Sequence, residues 1–138
     1  MSYLTIARAE QLAKAAVAAA REKETNPVSV CVIDASGNIK YALREDNAGI
    51  AGVDIALGKA RAALTFGCSS RQIADALSQN PLAGPSVLAA LQGRVVLLAG
   101  GIVIQDPAGT IIGAMAAAGD TPDNDEAIVL AATVAVGP

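Results

Sequence analysis

Residues 28–45 read VSVCVIDASGNIKYALRE, and this stretch decides the fold class. Its first part, Val28–Asp34, is apolar on both faces and predicts a buried strand. DASGN then predicts a turn, in which Gly37 supplies the permissive backbone. The following IKYALRE alternates apolar with basic side chains, which is typical of a half-solvated second strand. The two strands form a β-hairpin, so the sequence predicts a mainly antiparallel sheet.

The segments around the hairpin predict helices and two more strands. A first helix covers residues 5–24 with Thr5 as N-cap, and the last helix has Thr121 as N-cap and Pro122 at its first position. Between them we predict a helix over 51–67, a helix over 71–79 capped by Ser69 or Ser70, a short helix over 85–93, a strand over 94–106 interrupted at Gly100-Gly101, and a strand over 110–118. Without the short helix, the order is α-β-β-α-α-β-β-α. This order predicts an α+β fold with helices packed on the sheet, as a single domain of residues 1–138.

The composition indicates a core of small side chains. Of the 138 residues, 53% are hydrophobic but only 2% are aromatic. Alanine is very abundant, so we expect helices and strands to approach each other closely. A small domain with so much apolar surface is expected to hide part of it in a homo-oligomer interface.

Several classes of function are excluded. The net charge is −3, the basic residues form no run, and there is little to stack on a base, so nucleic-acid binding is not expected. We find no apolar run of membrane-spanning length and no signal-peptide pattern, and therefore expect a cytoplasmic protein without membrane contact. The absence of histidine excludes histidine-based zinc sites, Ser-His triads and Cys-His dyads. Cys31 and Cys68 form no metal signature, and no metal site is predicted.

Lys59 is the unusual residue of the predicted helix AGVDIALGKARAALTFG. At 100° per residue, it falls between Ile55, Ala62 and Phe66, on an apolar side of the helix. Three interpretations stay open. Its stem could lie along these side chains while the ammonium reaches water; it could form a structural ion pair; or it could face a ligand in a pocket. Arg61, by contrast, is read as a surface charge near Asp54.

Six motifs in order resemble the GlcG/HbpS family, also called the haem-degrading or DUF336 family, which is related to the C-terminal domains of PduO-type proteins. They are LTIARAEQLAKAA, VSVCVIDASGNI, LREDNAG, DIALGKARAALTFG, AGGIVI and IIGAMAAAGDTPDNDEAI, and they cover nearly the whole chain. The resemblance implies a profilin-like fold, an antiparallel sheet with helices on its faces, and an oligomer. Some members bind haem or related tetrapyrroles, and others have uncertain roles. The cofactor therefore stays open: haem follows from the resemblance, whereas a histidine-ligated iron is excluded.

The first functional hypothesis is a protein that binds a small molecule, either haem or another tetrapyrrole or a small carboxylate metabolite. Arg44, Lys59 and Arg94 would hold carboxylates, and the Gly100-Gly101 backbone would allow close approach. We place the pocket at a subunit edge, between the Lys59 helix, the Gly100-Gly101 strand and the start of the last helix.

Two alternatives belong to other classes. In a small-molecule enzyme (a lyase, isomerase or hydrolase), Lys59 would be a base, an amine nucleophile or an electrostatic clamp. Asp125 or Glu126 would be an acid or base, and Arg44 would anchor a carboxylate. The same acids could instead stabilise the start of the last helix through its dipole. The third hypothesis is an accessory assembly subunit without catalysis.

Overall fold

A four-stranded antiparallel sheet with helices on both faces forms the body of the protein. The structure, a computed structural model, describes residues 2–138. Its elements are α1 (Ile6–Lys23), β1 (Ser29–Asp34), β2 (Ile39–Arg44), α2 (Gly52–Phe66), α3 (Ser70–Leu77), α4 (Ala83–Ala90), β3 (Gly101–Gln105), β4 (Ile111–Ala118) and α5 (Pro122–Val136). This confirms the predicted α+β class. Within the described residues, no helix combines the length and the apolar character needed to cross a membrane.

The local signals at the helix starts are confirmed. The backbone N–H of Arg8 donates to the Thr5 side chain at 3.1 Å, and that of Asn124 donates to Thr121 at 3.2 Å. Of the two serines proposed to cap the third predicted helix, Ser69 is the N-cap, within a capping box. These contacts satisfy backbone donors that the first helical turn leaves without partners.

Two predicted boundaries are wrong. The predicted short helix is present as α4, but it covers Ala83–Ala90 instead of residues 85–93. The strand predicted over 94–106 is reduced to Gly101–Gln105. In the segment before β3, Val95 packs with Ala62 and Ile73 in a small separate cluster. This apolar segment therefore packs against helices and does not pair in the sheet.

The sheet order is β2-β1-β4-β3, with every neighbouring pair antiparallel. Side chains of β1 alternate between the two faces, as the pleat requires. Val30 and Val32 pack in the cluster that contains α1 and α5, whereas Cys31 and Ile33 pack against α2. The apolar character of β1 on both faces thus places it in the middle of a three-layered structure.

Helix α2 lies unusually close to the sheet. Its buried face is made of small residues, and those of β4 on the same side are Ala114, Ala116 and Ala118. A Cβ atom on Gly101 would lie 2.3 Å from the carbonyl oxygen of Lys59, which no ordinary contact allows. The alanine-rich composition therefore produces close backbone packing, as expected.

The packing of α2 on β3 predicts a strong effect of Gly101→Ala. The added methyl group would push the helix away from the strand, and overpacking of this kind costs ~1–3 kcal/mol. Gly49→Ala is the matched control, because a Cβ atom there meets nothing within 4 Å. Urea unfolding should show a lower free energy of unfolding for Gly101→Ala and a change within ~0.5 kcal/mol for Gly49→Ala. Equal stabilities would contradict the close packing.

Candidate functional site

Lys59 lies in the middle of α2, and its side chain points into the protein. Only 2% of that side chain is exposed, and its Nζ atom lies 3.0 Å from Oδ2 of Asp125. The ammonium also donates to the carbonyl oxygen of Ala117 at 3.1 Å. Of the three interpretations of this lysine, the structure shows the ion pair. The snorkelling interpretation is wrong, because the ammonium is buried and does not reach water.

Asp125 is the partner that fixes this lysine. It stands in the first turn of α5, and 2% of its side chain is exposed. Its second oxygen, Oδ1, accepts the backbone N–H of Asp120 at 3.0 Å. The carboxylate thus binds the ammonium on one side and the loop before α5 on the other. A buried ion pair offsets its desolvation only when such additional hydrogen bonds are present.

Gly100 and Gly101 make room for the lysine. Gly100 has φ +131°, and a Cβ atom there would lie 2.9 Å from Nζ of Lys59. The N–H of Gly101 donates to the buried hydroxyl of Ser70 at 2.9 Å. The Lys59 helix, the paired glycines and the start of α5 therefore meet as predicted, but the side chain of Lys59 fills the space among them.

The other predicted acid, Glu126, belongs to a surface network. Its carboxylate accepts a hydrogen bond from Nε of Arg71 at 2.8 Å, and 18% of its side chain is exposed. The same guanidinium contacts Asp123. Hydrogen bonds to Asp123 and Glu126 raise the pKa of Arg71 above its ordinary value. Asp123 and Glu126 thus connect α5 to α3, while Asp125 alone of the three points inward.

The predicted arginines lie elsewhere. Arg44, at the end of β2, is exposed and donates to the carbonyl oxygen of Ala48 at 3.0 Å. Arg94 lines an open cleft of about 640 Å³ beside the β1–β2 turn, which we call the arginine cleft. Its walls are residues 35–38 of the turn, Arg61, Leu64 and Thr65 of α2, Ala90 at the end of α4, and Leu91, Gln92, Arg94 and Val95 after α4.

Arg61 is the residue that sequence reasoning missed. The sequence predicts a surface charge near Asp54, but Arg61 lines the arginine cleft together with Leu64 and Thr65. A signal was present: positions three and four apart share one helix face. Arg94, on the opposite wall of the cleft, belongs to a segment distant in sequence. The local spacing of residues therefore could not show that the two arginines lie in one cleft.

Residues 2–138 form at least four clefts, and none of these four is lined by Lys59, Asp125, Gly100, Glu126 or Arg44. Residues 2–138 contain no group of three or more Cys, Asp or Glu side chains placed to hold a metal ion. The binding and catalytic roles assigned to these side chains therefore stay predictions, whereas the arginine cleft is an open site that contains a predicted residue, Arg94.

The architecture and this cleft define a small α+β protein whose sheet, with helices on both faces, carries a concave cationic site. The chain belongs to the HbpS-like family, whose model, described as haem degrading protein HbpS-like, matches residues 4–133. The resemblance drawn from the six sequence motifs is thus confirmed. No curated protein matches the chain.

Three solved structures are similar over nearly their full length. A double mutant of HbpS from Streptomyces reticuli is 30% identical, with a TM-score of 0.87, and the match covers 100% of this chain and 90% of that one. ORFY from Klebsiella pneumoniae is 27% identical with a TM-score of 0.88, covering 99% and 92%. PduOC, determined as a heme complex, is 27% identical with a TM-score of 0.87, covering 97% and 95%.

The Lys59–Asp125 pair predicts non-additive effects on stability. Lys59→Met or Asp125→Asn alone removes one partner of the buried pair, and breaking such a pair costs ~3–5 kcal/mol. The double variant should cost clearly less than the sum of the two. Lys14→Met is the control, because 64% of the Lys14 side chain is exposed in its ion pair with Glu10. Urea unfolding of the four variants measures these effects, and additive losses would contradict the coupling.

The two thiols should differ in reactivity. Burial raises the pKa of the Cys31 thiol to about 11, although the charge of Arg61 partly opposes the shift. A thiol that binds its proton more tightly in the folded state contributes stability below its ordinary pKa of 9.0, and this contribution is lost as pH rises from there through about 11. At pH 8, a disulfide reagent should label half-buried Cys68 in the native protein and Cys31 only after unfolding. Rapid native labelling of both would contradict this.

Proposed function

We propose that the protein binds a small organic anion in the arginine cleft. The observation that carries the proposal is the pair of arginines, Arg61 and Arg94, on walls of one cleft of about 640 Å³. Neither guanidinium has a carboxylate of residues 2–138 within salt-bridge distance. Guanidinium groups bind carboxylates through two parallel hydrogen bonds, so carboxylate groups are the natural ligand chemistry here.

The rest of the cleft supports a ligand with an apolar frame. Leu64, Leu91 and Val95 supply aliphatic surface, while Asn38 and Gln92 supply amide groups. Small-molecule sites combine aliphatic surface with polar groups that fix orientation, and this cleft contains both kinds of group. Carboxylated tetrapyrroles have this chemistry, and the family and the heme complex of PduOC support a ligand of that class.

Haem iron itself does not fit the arginine cleft. Its lining residues include no histidine, cysteine, methionine, tyrosine or lysine, so no side chain there is an ordinary axial ligand. The side chains of Cys31 on β1 and Met115 on β4, whose sulfur atoms could bind iron elsewhere in the protein, are fully buried within the sheet. The residues therefore suit the carboxylates of a tetrapyrrole and not its metal.

The proposal predicts that carboxylates and not iron determine affinity. Hemin and iron-free protoporphyrin, titrated by quenching of porphyrin fluorescence or by absorbance, should bind with similar affinity, without the spectral shift of a new axial ligand. Arg61→Gln and Arg94→Gln should each weaken binding about ten-fold or more, as expected for a lost charged hydrogen bond.

Arg44→Gln is the matched control, since Arg44 lies outside the cleft, and it should leave the affinity unchanged. Binding that depends on Arg44 and not on Arg61 or Arg94 would contradict this location. Hemin binding that far exceeds that of the iron-free ring would contradict carboxylate recognition.

We also propose that the protein self-associates, as the composition suggested. Several large apolar side chains are exposed, among them Ile50 at 94%, Val134 at 84% and Leu82 at 73%. Their exposure supports an interface between copies or with an assembly partner.

A further inference from the structure

A second cleft, away from the arginine cleft, lies along the outer edge of β3. Its volume is about 390 Å³, and Arg8 and Leu12 of α1, strand β3 and Leu130 of α5 form its walls. We call it the Arg8 cleft. It combines an unneutralised cation, an aliphatic wall and an unpaired strand edge, and each of these needs a different kind of partner group.

The cation is Arg8. One of its terminal nitrogens donates to the carbonyl oxygen of Gly137 at 3.3 Å, whereas its buried Nε–H has no partner. No carboxylate of residues 2–138 lies within salt-bridge distance of it. A half-buried guanidinium with one long hydrogen bond has donors left for an anion.

The strand edge is the second feature. The N–H of Ala117 donates to the carbonyl of Gly100 at 3.2 Å, and the register pairs Gly101 with Ala116. Since backbone groups alternate in direction along an antiparallel strand, those of Gly101 and Val103 point away from β4. The hydroxyl of Ser70 forms hydrogen bonds with both the N–H and the C=O of Gly101. The N–H and C=O of Val103 have no such side-chain partner among the described residues.

The two edge strands of the sheet, β2 and β3, differ in how well they are protected against pairing with another strand. The β2 edge carries Lys40 and Arg44, and charged side chains of this kind prevent another strand from pairing. Strand β3, GIVIQ, has no charged residue and no proline. An uncharged edge with an open Val103, beside aliphatic Ile104 and Leu130, is suited to receive an additional strand.

We propose that the Arg8 cleft binds the carboxyl-terminal end of an extended peptide. The peptide backbone pairs with Val103, an apolar side chain lies against the aliphatic wall, and the terminal carboxylate binds Arg8. The guanidinium and the backbone groups of Val103 then both have partners, whereas a simple organic acid would leave the groups of Val103 unpaired. The proposal is independent of the ligand of the arginine cleft.

The test uses fluorescein-labelled Gly-Thr-Val-Ile-Val, with a free carboxylate or a terminal amide, in fluorescence polarisation with the full chain. The carboxylate form should bind about ten-fold or more tightly than the amide. Arg8→Gln should abolish that difference. Lys14→Gln, an equal charge change on the same helix, should keep it.

A second measurement does not depend on the folding of a variant. Peptides N-methylated at one amide at a time should lose about ten-fold in affinity at the position that pairs with Val103, and little at amides that face away. Equal binding of acid and amide, no binding up to about 1 mM, or no effect of any N-methyl group would overturn the proposal. Equal affinity for N-acetylvaline alone would also overturn it, in favour of a small-acid site.

Discussion

The ion pair of Lys59 and Asp125 fixes how the helices sit on the sheet. Lys59 comes from the middle of α2, Asp125 from the first turn of α5, and the ammonium also binds Ala117 near the end of β4. The pair therefore connects both helical layers to the point where the chain leaves the sheet. Because an unpaired charge is expensive in the interior, any arrangement that separates these elements leaves a buried charge without compensation.

The glycines and alanines around the pair follow from the same constraint. The lysine reaches Asp125 only if α2 lies close to β3 and β4, and this closeness leaves no room for a Cβ atom at Gly101. Alanines on both surfaces allow the approach. The small side chains between α2 and the sheet therefore make the buried pair possible.

Features that depend on neighbouring residues could be predicted from the sequence, whereas contacts between residues far apart in the chain could not. The hairpin, the helix caps and the anomalous position of Lys59 come from patterns of a few residues, and each was visible in advance. Asp125 lies 66 positions from Lys59, and no local pattern shows that these two residues are partners. The prediction of a strand over 94–106 was wrong for a related reason. Val95 packs against residues of helices that are distant in sequence. An apolar run alone does not show whether it packs on helices or pairs in a sheet.

The distribution of positive charge separates structural cations from those free for ligands. Lys59, Arg21 and Arg71 each have a carboxylate partner within the described chain, so their charge is used in holding elements together. Arg8, Arg61 and Arg94, like Lys23, Lys40 and Arg44, have none there, although the chain as a whole carries a net charge of −3. Of these, Arg8, Arg61 and Arg94 line the two clefts described above. In an acidic protein with carboxylates to spare, guanidinium groups left unpaired in concave sites are placed to receive anions from outside the chain.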